Sequence, residues 1–477
     1  MEELLTLSVI ELSRRIRAKE VSPVEVVDAH IRRIEQVNPM INAVVVPTFD
    51  SARDLAKKAE QRLASRADGL PPLLGVPCTI KDCYAVEGLP WAVGVVSRKN
   101  TIAKEDATVV KRIKDAGAII MGKTNVPEAA MWCETYNNVY GRSKNPHDTR
   151  RTTGGSSGGE GAIIAAAGSP FGPGSDIGGS IRYPSFFNGV VGHKPTGGIV
   201  PQTGHWPAAP GETAKYMVCG PMGRRVDDLV MLLKLLAGPD GKDPNALDKP
   251  LGDPQKVNPK TVRAYYFVDN GLSHADHDVR LAVRKAADAL EDRGVKVEPW
   301  TPPGINRGLE IWFASLGLGG AETFESLVTG GGHVSLLKEF PKLLVGRSDF
   351  TFPILGTILL EKMSGSTMEQ LKTLYNKGKE LQRVIEEKLG SDGVLICPPY
   401  NRAAPRHSGP WLSFTGISYS CIFNILEFPA TCVPIFWNDK GLPVGVQVVG
   451  SRFSDHITLA MGKVLEEAYG GWKPAAI

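Results

Sequence analysis

GGSSGGEGAIIAAAGSPFGPGSDIGGSIR, residues 154–182, is the most informative stretch of this chain. Two serines, Ser156 and Ser180, lie in its two glycine-rich segments, and residues 159–167 between them predict a helix of small residues. Glycine lets backbone N–H groups approach a bound molecule closely. The arrangement favours hydrolysis of an acyl bond, although tight turns or anion-binding nests would use the same residues.

Lys81, in the upstream segment GVPCTIKD at residues 75–82, is the candidate base for these serines. A serine alcohol is a good nucleophile only when a base removes its proton, so Ser180 would attack while Ser156 passes the proton to Lys81. Lys81 must then be a neutral amine, which burial favours because it penalises the ammonium form. A neighbouring carboxylate on Asp82 would favour the charged form of Lys81. However, successive side chains of a strand point to opposite faces, so Asp82 should face away from Lys81.

The residues directly before Ser180 can stabilise the negative charge that develops on the carbonyl oxygen. Ile177, Gly178 and Gly179 can present backbone N–H groups as an oxyanion hole. One such donor is typically worth about 10²–10³ in rate. We therefore expect the nucleophile and the oxyanion hole to share one loop.

Two other motifs suggest different chemistry but lie in the wrong context. Residues 155–159 fit the Gly-x-Ser-x-Gly nucleophile elbow centred on Ser157, but that elbow follows an apolar strand and the lead-in HDTRRTT is polar. Residues 117–124, GAIIMGKT, match a phosphate-binding loop. Gly117 instead ends a predicted helix, and the apolar residues after it predict a strand, so we do not expect nucleotide binding.

Neither a metal nor another cofactor is expected. One cluster of potential ligands comprises His274, Asp276, His277 and Asp278. The same residues suit a polar loop and an N-cap for a helix over residues 278–293, and no Cys-x2-Cys pair or His-Glu-x-x-His motif is present. Among the scattered histidines, His193 and His205 lie near the serine loops in sequence and could line the site.

Composition limits the class of protein. With 477 residues and 42% hydrophobic content, the chain can bury a large core. A dispersed net charge of +4 gives no reason to expect nucleic-acid binding. Seven cysteines without a tight framework indicate reduced thiols, and neither a signal peptide nor a transmembrane anchor is apparent. We expect a cytoplasmic protein, with the choice between monomer and homodimer left open.

Strands and helices alternate along most of the chain, which predicts an α/β fold with a mixed, mostly parallel central sheet covered by helices. Two amphipathic helices are predicted over residues 8–36, the second opened by a Ser22–Glu25 capping box and stopped at Asn38–Pro39. We expect a single domain over residues 1–477. Its parts would be N-terminal helices at 1–65, a catalytic core at 66–235 and a lid or acyl-pocket wall at 303–366.

Residues 303–366 are predicted to be irregular and rich in glycine. Aromatic side chains that we expect to be exposed are Trp312, Phe324, Phe340, Phe350 and Phe352. Ordinary core helices are the alternative to a lid or pocket wall. The aromatic content favours substrates with a hydrophobic or aryl group.

Taken together, the motifs resemble those of the amidase signature family. The matching segments are residues 75–82, 122–125, 154–161, 174–182, 192–197 and 441–447. SSGGEG at 156–161 and SDIGGSIR at 175–182 are most similar to the fatty-acid amide hydrolase branch. The resemblance implies one α/β/α domain that needs no cofactor.

The resemblance also implies roles for individual residues. Ser180, Ser156 and Lys81 would be nucleophile, proton relay and base of a Ser-Ser-Lys triad. The Gly155–Ser156 peptide bond would be cis, and residues 177–180 would form the oxyanion hole. The supporting polar groups around these loops would be Ser157, Asp176 and Arg182.

The sequence thus predicts a hydrolase that cleaves small-molecule amides through an acyl-enzyme, and the same machinery would polarise esters and carbamates. Two alternatives stay open. The glutamine-hydrolysing subunit of a tRNA amidotransferase shares the signature, but it needs partner subunits and a polar, carboxylate-binding pocket. A non-catalytic binding protein on the same scaffold would have no need for Lys81, Ser156 and Ser180 together.

Overall fold

The computed structural model describes residues 3–65, 69–363 and 366–477, so the predicted boundary at residue 66 lies outside the described residues. The helices in the described ranges are α1 (Val9–Arg17), α2 (Pro23–Ile41), α3 (Phe49–Ala64), α4 (Thr108–Asp115), α5 (Gly158–Ala165), α6 (Arg182–Asn188), α7 (Val226–Leu236), α8 (His277–Glu291), α9 (Gly308–Leu318), α10 (Phe324–Thr329), α11 (Leu336–Leu344), α12 (Phe352–Met363), α13 (Met368–Leu389), α14 (Ser418–Ile425) and α15 (Asp455–Tyr469).

In the part of the chain that the structure describes, the strands form one large sheet, one sheet of three strands and one short hairpin. They are β1 (Val44–Pro47), β2 (Pro77–Lys81), β3 (Ile119–Thr124), β4 (Tyr136–Asn137), β5 (Gly141–Arg142), β6 (Phe171–Asp176), β7 (Val191–Lys194), β8 (Val218–Gly223), β9 (Arg263–Tyr266), β10 (Lys296–Pro299), β11 (Gly393–Cys397), β12 (Ala430–Trp437) and β13 (Pro443–Gly450). The large sheet has the order β10-β9-β11-β13-β12-β7-β8-β6 and is covered by helices, which confirms the α/β class.

The sheet is mixed, as predicted, but the prediction that it is mostly parallel is wrong. Only the pairs β9–β10 and β9–β11 are parallel, and the other five neighbouring pairs are antiparallel. Connection length explains the difference. Helix α8 supplies the long crossover that the parallel pair β9–β10 requires, whereas five residues, 438–442, join β12 to β13 and allow only an antiparallel hairpin.

The N-terminal helices follow the sequence closely. Ser22 Oγ accepts the backbone N–H of Glu25 at 3.1 Å, and Glu25 Oε2 accepts that of Ser22 at 2.8 Å, so the predicted capping box is present. Helix α2, however, continues through Pro39 instead of stopping there. It ends at Asn42, whose left-handed φ of +47° breaks the helix, while the Asn38 side chain accepts the next two backbone N–H groups.

The two larger sheets meet where the serine loops begin. β2 pairs with β3 in the three-stranded sheet, and just beyond β2 the hydroxyl of Tyr84 donates to the carbonyl of Gly174 in β6 at 2.6 Å. The carboxyl ends of β2 and β6 therefore lie side by side. These ends carry Lys81 and Ser175, respectively.

Residues 303–366 are mainly helical, so the prediction of an irregular segment is wrong, whereas the choice between a lid or pocket wall and ordinary core helices stays a prediction. Helices α9 to α12 cover most of the range. Part of the segment packs in an apolar cluster separate from the main core, and this cluster comprises Val95, Ala129, Val328, Val334, Ile354, Leu355 and Ile358. Movement of this segment as a lid stays a prediction.

Two further expectations can be compared with the described residues. Asp276 caps α8 by accepting the backbone N–H of Val279 at 3.0 Å, which confirms the N-cap interpretation of the His274–Asp278 cluster. No helix in the described ranges combines the length and the apolar character that crossing a membrane would require.

Candidate active site

Lys81 is the last residue of β2, and its side chain is completely buried. Its Nζ atom lies 2.8 Å from Ser156 Oγ, 2.8 Å from Ser175 Oγ and 3.3 Å from the Ser175 carbonyl oxygen. Burial lowers the pKa of Lys81 below its ordinary value, although the neighbouring Cys83 and Asp176 act in the opposite direction. The amine is therefore held at the serine loops and biased toward its neutral form.

Asp82 points away from Lys81, as strand geometry predicts. Its Oδ1 atom lies 2.7 Å from Lys123 Nζ in a fully buried pair, and its Oδ2 atom accepts the backbone N–H of Val93 at 2.7 Å. Lys123 belongs to the rejected phosphate-binding motif, and its place within β3 confirms that this stretch is a strand. Asp82 thus balances the charge of Lys123 and not that of Lys81.

Ser156 lies in the loop that leads into α5, and it lines a cleft. The Gly155–Ser156 peptide bond is cis, as the family resemblance implies. Glycine is required at the neighbouring positions by close packing. A Cβ atom at Gly155 would lie 2.3 Å from the carbonyl oxygen of Trp132, and one at Gly158 would lie 2.2 Å from Thr135 Oγ1.

Ser180 lies in the turn between β6 and α6, and it lines the same cleft. Gly179 has a φ of +124°, and a Cβ atom there would overlap the ring of Tyr183. The carboxylate of Asp176 accepts the backbone N–H of Gly179 at 2.7 Å and that of Ile181 at 3.0 Å. The turn that carries Ser180 is therefore held on both sides of the serine.

Asp176 and Arg182 form a completely buried, two-pronged ion pair. Arg182 Nη2 and Nε lie 2.9 Å and 3.0 Å from the two carboxylate oxygens. The guanidinium also donates to Asn424 Oδ1 at 2.6 Å and to Gln447 Oε1 at 3.0 Å. Burial alone would raise the pKa of Asp176, but the Arg182 charge and its hydrogen bonds hold that pKa below its usual range. The pair ties the Ser180 turn to α14 and β13.

The cleft is lined mainly by small and apolar side chains. Beside the serine loops, its lining residues are Ala129, Ala130, Met131, His205, Pro207, Ala208, Ala209, Pro210, Thr213, Met217, Ala321, Glu322 and Leu327. Three of these, Ala321, Glu322 and Leu327, come from the segment predicted to form a pocket wall. No lysine or arginine is among the described residues that line the cleft.

Ser157 lies behind the cleft and not on its surface. It is completely buried, its backbone N–H donates to the Ser180 carbonyl at 3.2 Å, and its hydroxyl donates to the Ser175 carbonyl at 3.4 Å. These contacts join the two serine loops to each other. A buried serine in this position does not suit the exposed nucleophile of an elbow motif.

Sequence reasoning assigned no role to Ser175 and left His205 without a partner. His205 Nε2 lies 2.9 Å from Ser175 Oγ, and His205 Nδ1 lies 2.9 Å from the carbonyl oxygen of Pro207. His193, the other candidate, contacts Thr431 and Asp455 instead and does not line the cleft. Ser175 and His205 are 30 positions apart, and none of the motifs between them links the two side chains, so only the fold reveals this contact.

Glu160 is a further buried group that the motifs did not single out as functional. It lies in α5, and its carboxylate accepts hydrogen bonds from the hydroxyls of Thr79 and Thr124. Burial raises the pKa of Glu160 to about 7, although both hydroxyls and the charge of Lys81 act to lower it. The region behind Lys81 thus contains an acid that titrates near neutral pH.

A family model described as Amidase matches residues 25–459 of the chain. The chain belongs to the amidase signature family. Fatty-acid amide hydrolase 2 from Homo sapiens is 39% identical, and the match covers 99% of this chain and 90% of that protein. Acylamidase from Rhodococcus erythropolis is 31% identical over 95% of this chain and 93% of its own length.

Solved structures of the amidase signature family share the fold. The structure of 6-aminohexanoate cyclic dimer hydrolase matches with a TM-score of 0.82 and 25% identity, covering all of this chain and 99% of that one. Family membership and these relatives establish a hydrolase that acts on amides and is similar to fatty-acid amide hydrolases.

Proposed function

We propose that this amidase signature protein cleaves amides with hydrophobic or aryl groups through a Ser180–Ser156–Lys81 triad. The observation that carries the proposal is the 2.8 Å contact between the buried Lys81 Nζ and Ser156 Oγ, at a cleft that Ser180 also lines. A lysine biased toward its neutral form can accept the hydroxyl proton of Ser156. Ser156 can in turn accept a proton from a nucleophilic serine.

The reaction proceeds in two halves. Ser180 Oγ attacks the amide carbonyl carbon while its proton passes to Ser156 and the Ser156 proton passes to Lys81. The C–N bond then breaks, the proton returns from Lys81 through Ser156 to the leaving nitrogen, and the amine departs from an acylated Ser180. A water molecule, deprotonated through the same relay, attacks the acyl ester and releases the carboxylic acid.

The oxyanion hole is assigned to residues 177–180, but not every backbone N–H in this range is available to a substrate. The Gly179 N–H already donates to Asp176, so the N–H groups of Ile177, Gly178 and Ser180 are the donors available to a substrate oxygen. Trp312 Nε1 donates to the Ile177 carbonyl at 2.7 Å. Because a trans peptide unit is planar, this contact also fixes the direction of the Gly178 N–H.

The side chains that line the cleft support a preference for uncharged, apolar substrates. Alanine, proline, methionine and leucine side chains line most of its surface, and the carboxylate that faces it from the wall segment is Glu322. Esters and carbamates present the same carbonyl carbon and are included in the proposal. A glutamine-hydrolysing role would need a basic group to hold the substrate carboxylate, and the described lining offers no lysine or arginine.

All seven cysteines are buried and free of disulfides. Reduced thiols support the proposal of a reducing, cytoplasmic environment. The choice between monomer and homodimer stays open.

Fluorophosphonate labelling followed by peptide mapping tests the assignment of the nucleophile. We expect the adduct on Ser180, with labelling abolished in Ser180→Ala and nearly abolished in Lys81→Ala. Ser157→Ala is the matched control, since Ser157 is adjacent to Ser156 but does not line the cleft, and it should still be labelled on Ser180. An adduct on Ser157, or full labelling of Lys81→Ala, would contradict the triad. Binding without labelling or turnover would favour the non-catalytic alternative.

A further inference from the structure

The contacts of Lys81 determine which way its lone pair points. A neutral amine has two hydrogens and one lone pair, and Lys81 Nζ has three partners: the Ser175 carbonyl, Ser175 Oγ and Ser156 Oγ. The carbonyl can only accept, so it takes one hydrogen. Whether the lone pair faces Ser156 or Ser175 then depends on where the Ser175 hydroxyl proton lies.

His205 fixes the position of that proton. Its Nδ1 atom lies 2.9 Å from the Pro207 carbonyl, which accepts only, so Nδ1 carries the hydrogen. Burial, the main cause, lowers the pKa of His205 well below its ordinary value, so the ring is neutral and Nε2 is an acceptor. Ser175 Oγ, 2.9 Å away, is therefore the donor in its contact with Nε2.

The remaining partners of Ser175 agree with this direction. Cys83 Sγ lies 3.6 Å from Ser175 Oγ, and burial raises the pKa of Cys83 to about 11, so its thiol is protonated and can donate. Because the Ser175 hydroxyl donates its hydrogen to His205, the two lone pairs of Ser175 Oγ remain as acceptors. One can accept the Cys83 thiol hydrogen and the other a Lys81 N–H. The hydrogen bonds thus run in one direction, from Lys81 through Ser175 and His205 to Pro207.

We propose that His205 is a positioning residue that reserves the Lys81 lone pair for Ser156 by accepting a hydrogen bond from the Ser175 hydroxyl. The inference rests on the proposed triad and deepens it. Without an acceptor at Nε2, the Ser175 hydroxyl would turn and donate to Lys81. The lone pair of the amine would then accept the hydrogen bond from Ser175. It could not take the proton that Ser180 gives up through Ser156.

A double-mutant cycle tests the proposal through the maximal rate of fluorophosphonate labelling, kinact, and the probe's binding constant, KI. We expect His205→Phe to lower kinact about 10-fold or more at nearly unchanged KI, since positioned proton transfer contributes about 10²–10⁴ in rate. In a Ser175→Ala background the same change should alter kinact less than about twofold, because the hydroxyl through which His205 acts is absent. An equal loss in both backgrounds would overturn the proposal.

Two variants separate positioning from packing. His205→Gln keeps an acceptor oxygen for Ser175 and should recover kinact to within a few-fold of the natural protein. His30→Gln is the matched control, because His30 is also buried but does not line the cleft, and its kinact should be unchanged. If thermal unfolding shows that both variants are folded, a kinact for His205→Gln as low as that of His205→Phe would contradict the proposal.

The tautomer itself can be measured on the unmodified protein, which keeps the proposal testable if His205→Phe does not fold. With ¹⁵N-labelled histidine, the His205 signals should show a neutral ring protonated on Nδ1 from about pH 6 to about pH 9. A ring protonated on Nε2 would overturn the proposal. Absence of any adduct on Ser180 in the unmodified protein would instead refute the triad, so the two failures are distinguishable.

Discussion

The amine of Lys81 is completely buried. Burial disfavours its charged form, and even the neutral amine loses its hydrogen bonds to water. Reactivity therefore has a cost in stability at this residue. We predict that Lys81→Met, which keeps the length of the side chain, lowers kcat for a para-nitroanilide by about 10³ or more, since it removes the base. Its melting temperature should equal or exceed that of the natural protein, because burying an apolar group is favourable.

The Lys81→Met comparison needs a control for general effects of losing a buried charge. Lys123→Met serves, because Lys123 is equally buried but pairs with Asp82, which would be left with an unpaired charge. That variant should melt earlier than the natural protein. Lys81→Met retaining most of the amidase activity would refute the role of Lys81 as base.

Glu160 gives a second prediction at the scale of one residue. Burial raises the pKa of Glu160 from its ordinary value of 4.5 to about 7, so the folded protein holds this proton more tightly than the unfolded chain. The stabilising contribution of Glu160 is therefore present at acidic pH and is lost as pH rises through that window. Melting temperatures of Glu160→Gln and the natural protein should diverge in favour of the variant between about pH 5 and about pH 8. Parallel curves would contradict this.

At the scale of elements, the start of α2 and the strands β2 and β3 were predictable from the sequence, but the helices of residues 303–366 and the strand β6 beside the site were not. The capping box of α2 is a local hydrogen-bond pattern, so sequence alone finds it. β6 contains Pro173 and two glycines, which disfavour strands, and it forms because β8 pairs with it along its whole length. Tertiary pairing thus overrode local preference, and no strand was predicted there.

The candidate site shows the same division. Lys81, Ser156 and Ser180 could be found because glycine-rich loops and a family motif mark them in the sequence. Ser175 and His205 could not be joined, because their hydrogen bond depends on how the loop after β7 folds back over β6. Sequence motifs mark the individual reactive groups, whereas the hydrogen bonds that join side chains from distant loops follow only from the fold.

Helix α9 supports the oxyanion loop through one hydrogen bond, from Trp312 Nε1 to the Ile177 carbonyl. We predict that Trp312→Phe, which removes this donor but keeps an aromatic ring, lowers kcat about 10-fold with a smaller change in KM, because the Gly178 N–H is less well directed. Trp300→Phe is the control, because Trp300 packs against Tyr265 and does not line the cleft, and it should leave kcat unchanged. A change confined to KM would indicate that Trp312 only shapes the cleft.

For the whole molecule, the apolar packing of the described residues includes a continuous main core and, under α10 and α12, a small cluster separate from it. The main core joins residues from Val9 to Leu465 across both larger sheets. The smaller cluster holds α10 and α12 against Val95 and Ala129, and opening it would leave the main core intact. Because Ala321 and Leu327 line the cleft, any such opening would also change access to Ser180.

Hydrogen–deuterium exchange can show whether α10 and α12 move as the predicted lid. We expect their backbone amides to exchange faster than those of β12 and β13, which lie inside the central sheet and serve as the internal reference. Attaching a long-chain fluorophosphonate to Ser180 should slow exchange in α10, because the alkyl chain would fill the apolar cleft and contact Leu327. Exchange in α10 that is as slow as in β13, and unchanged by the adduct, would mean that the segment is a fixed wall and that substrates enter past it without any opening.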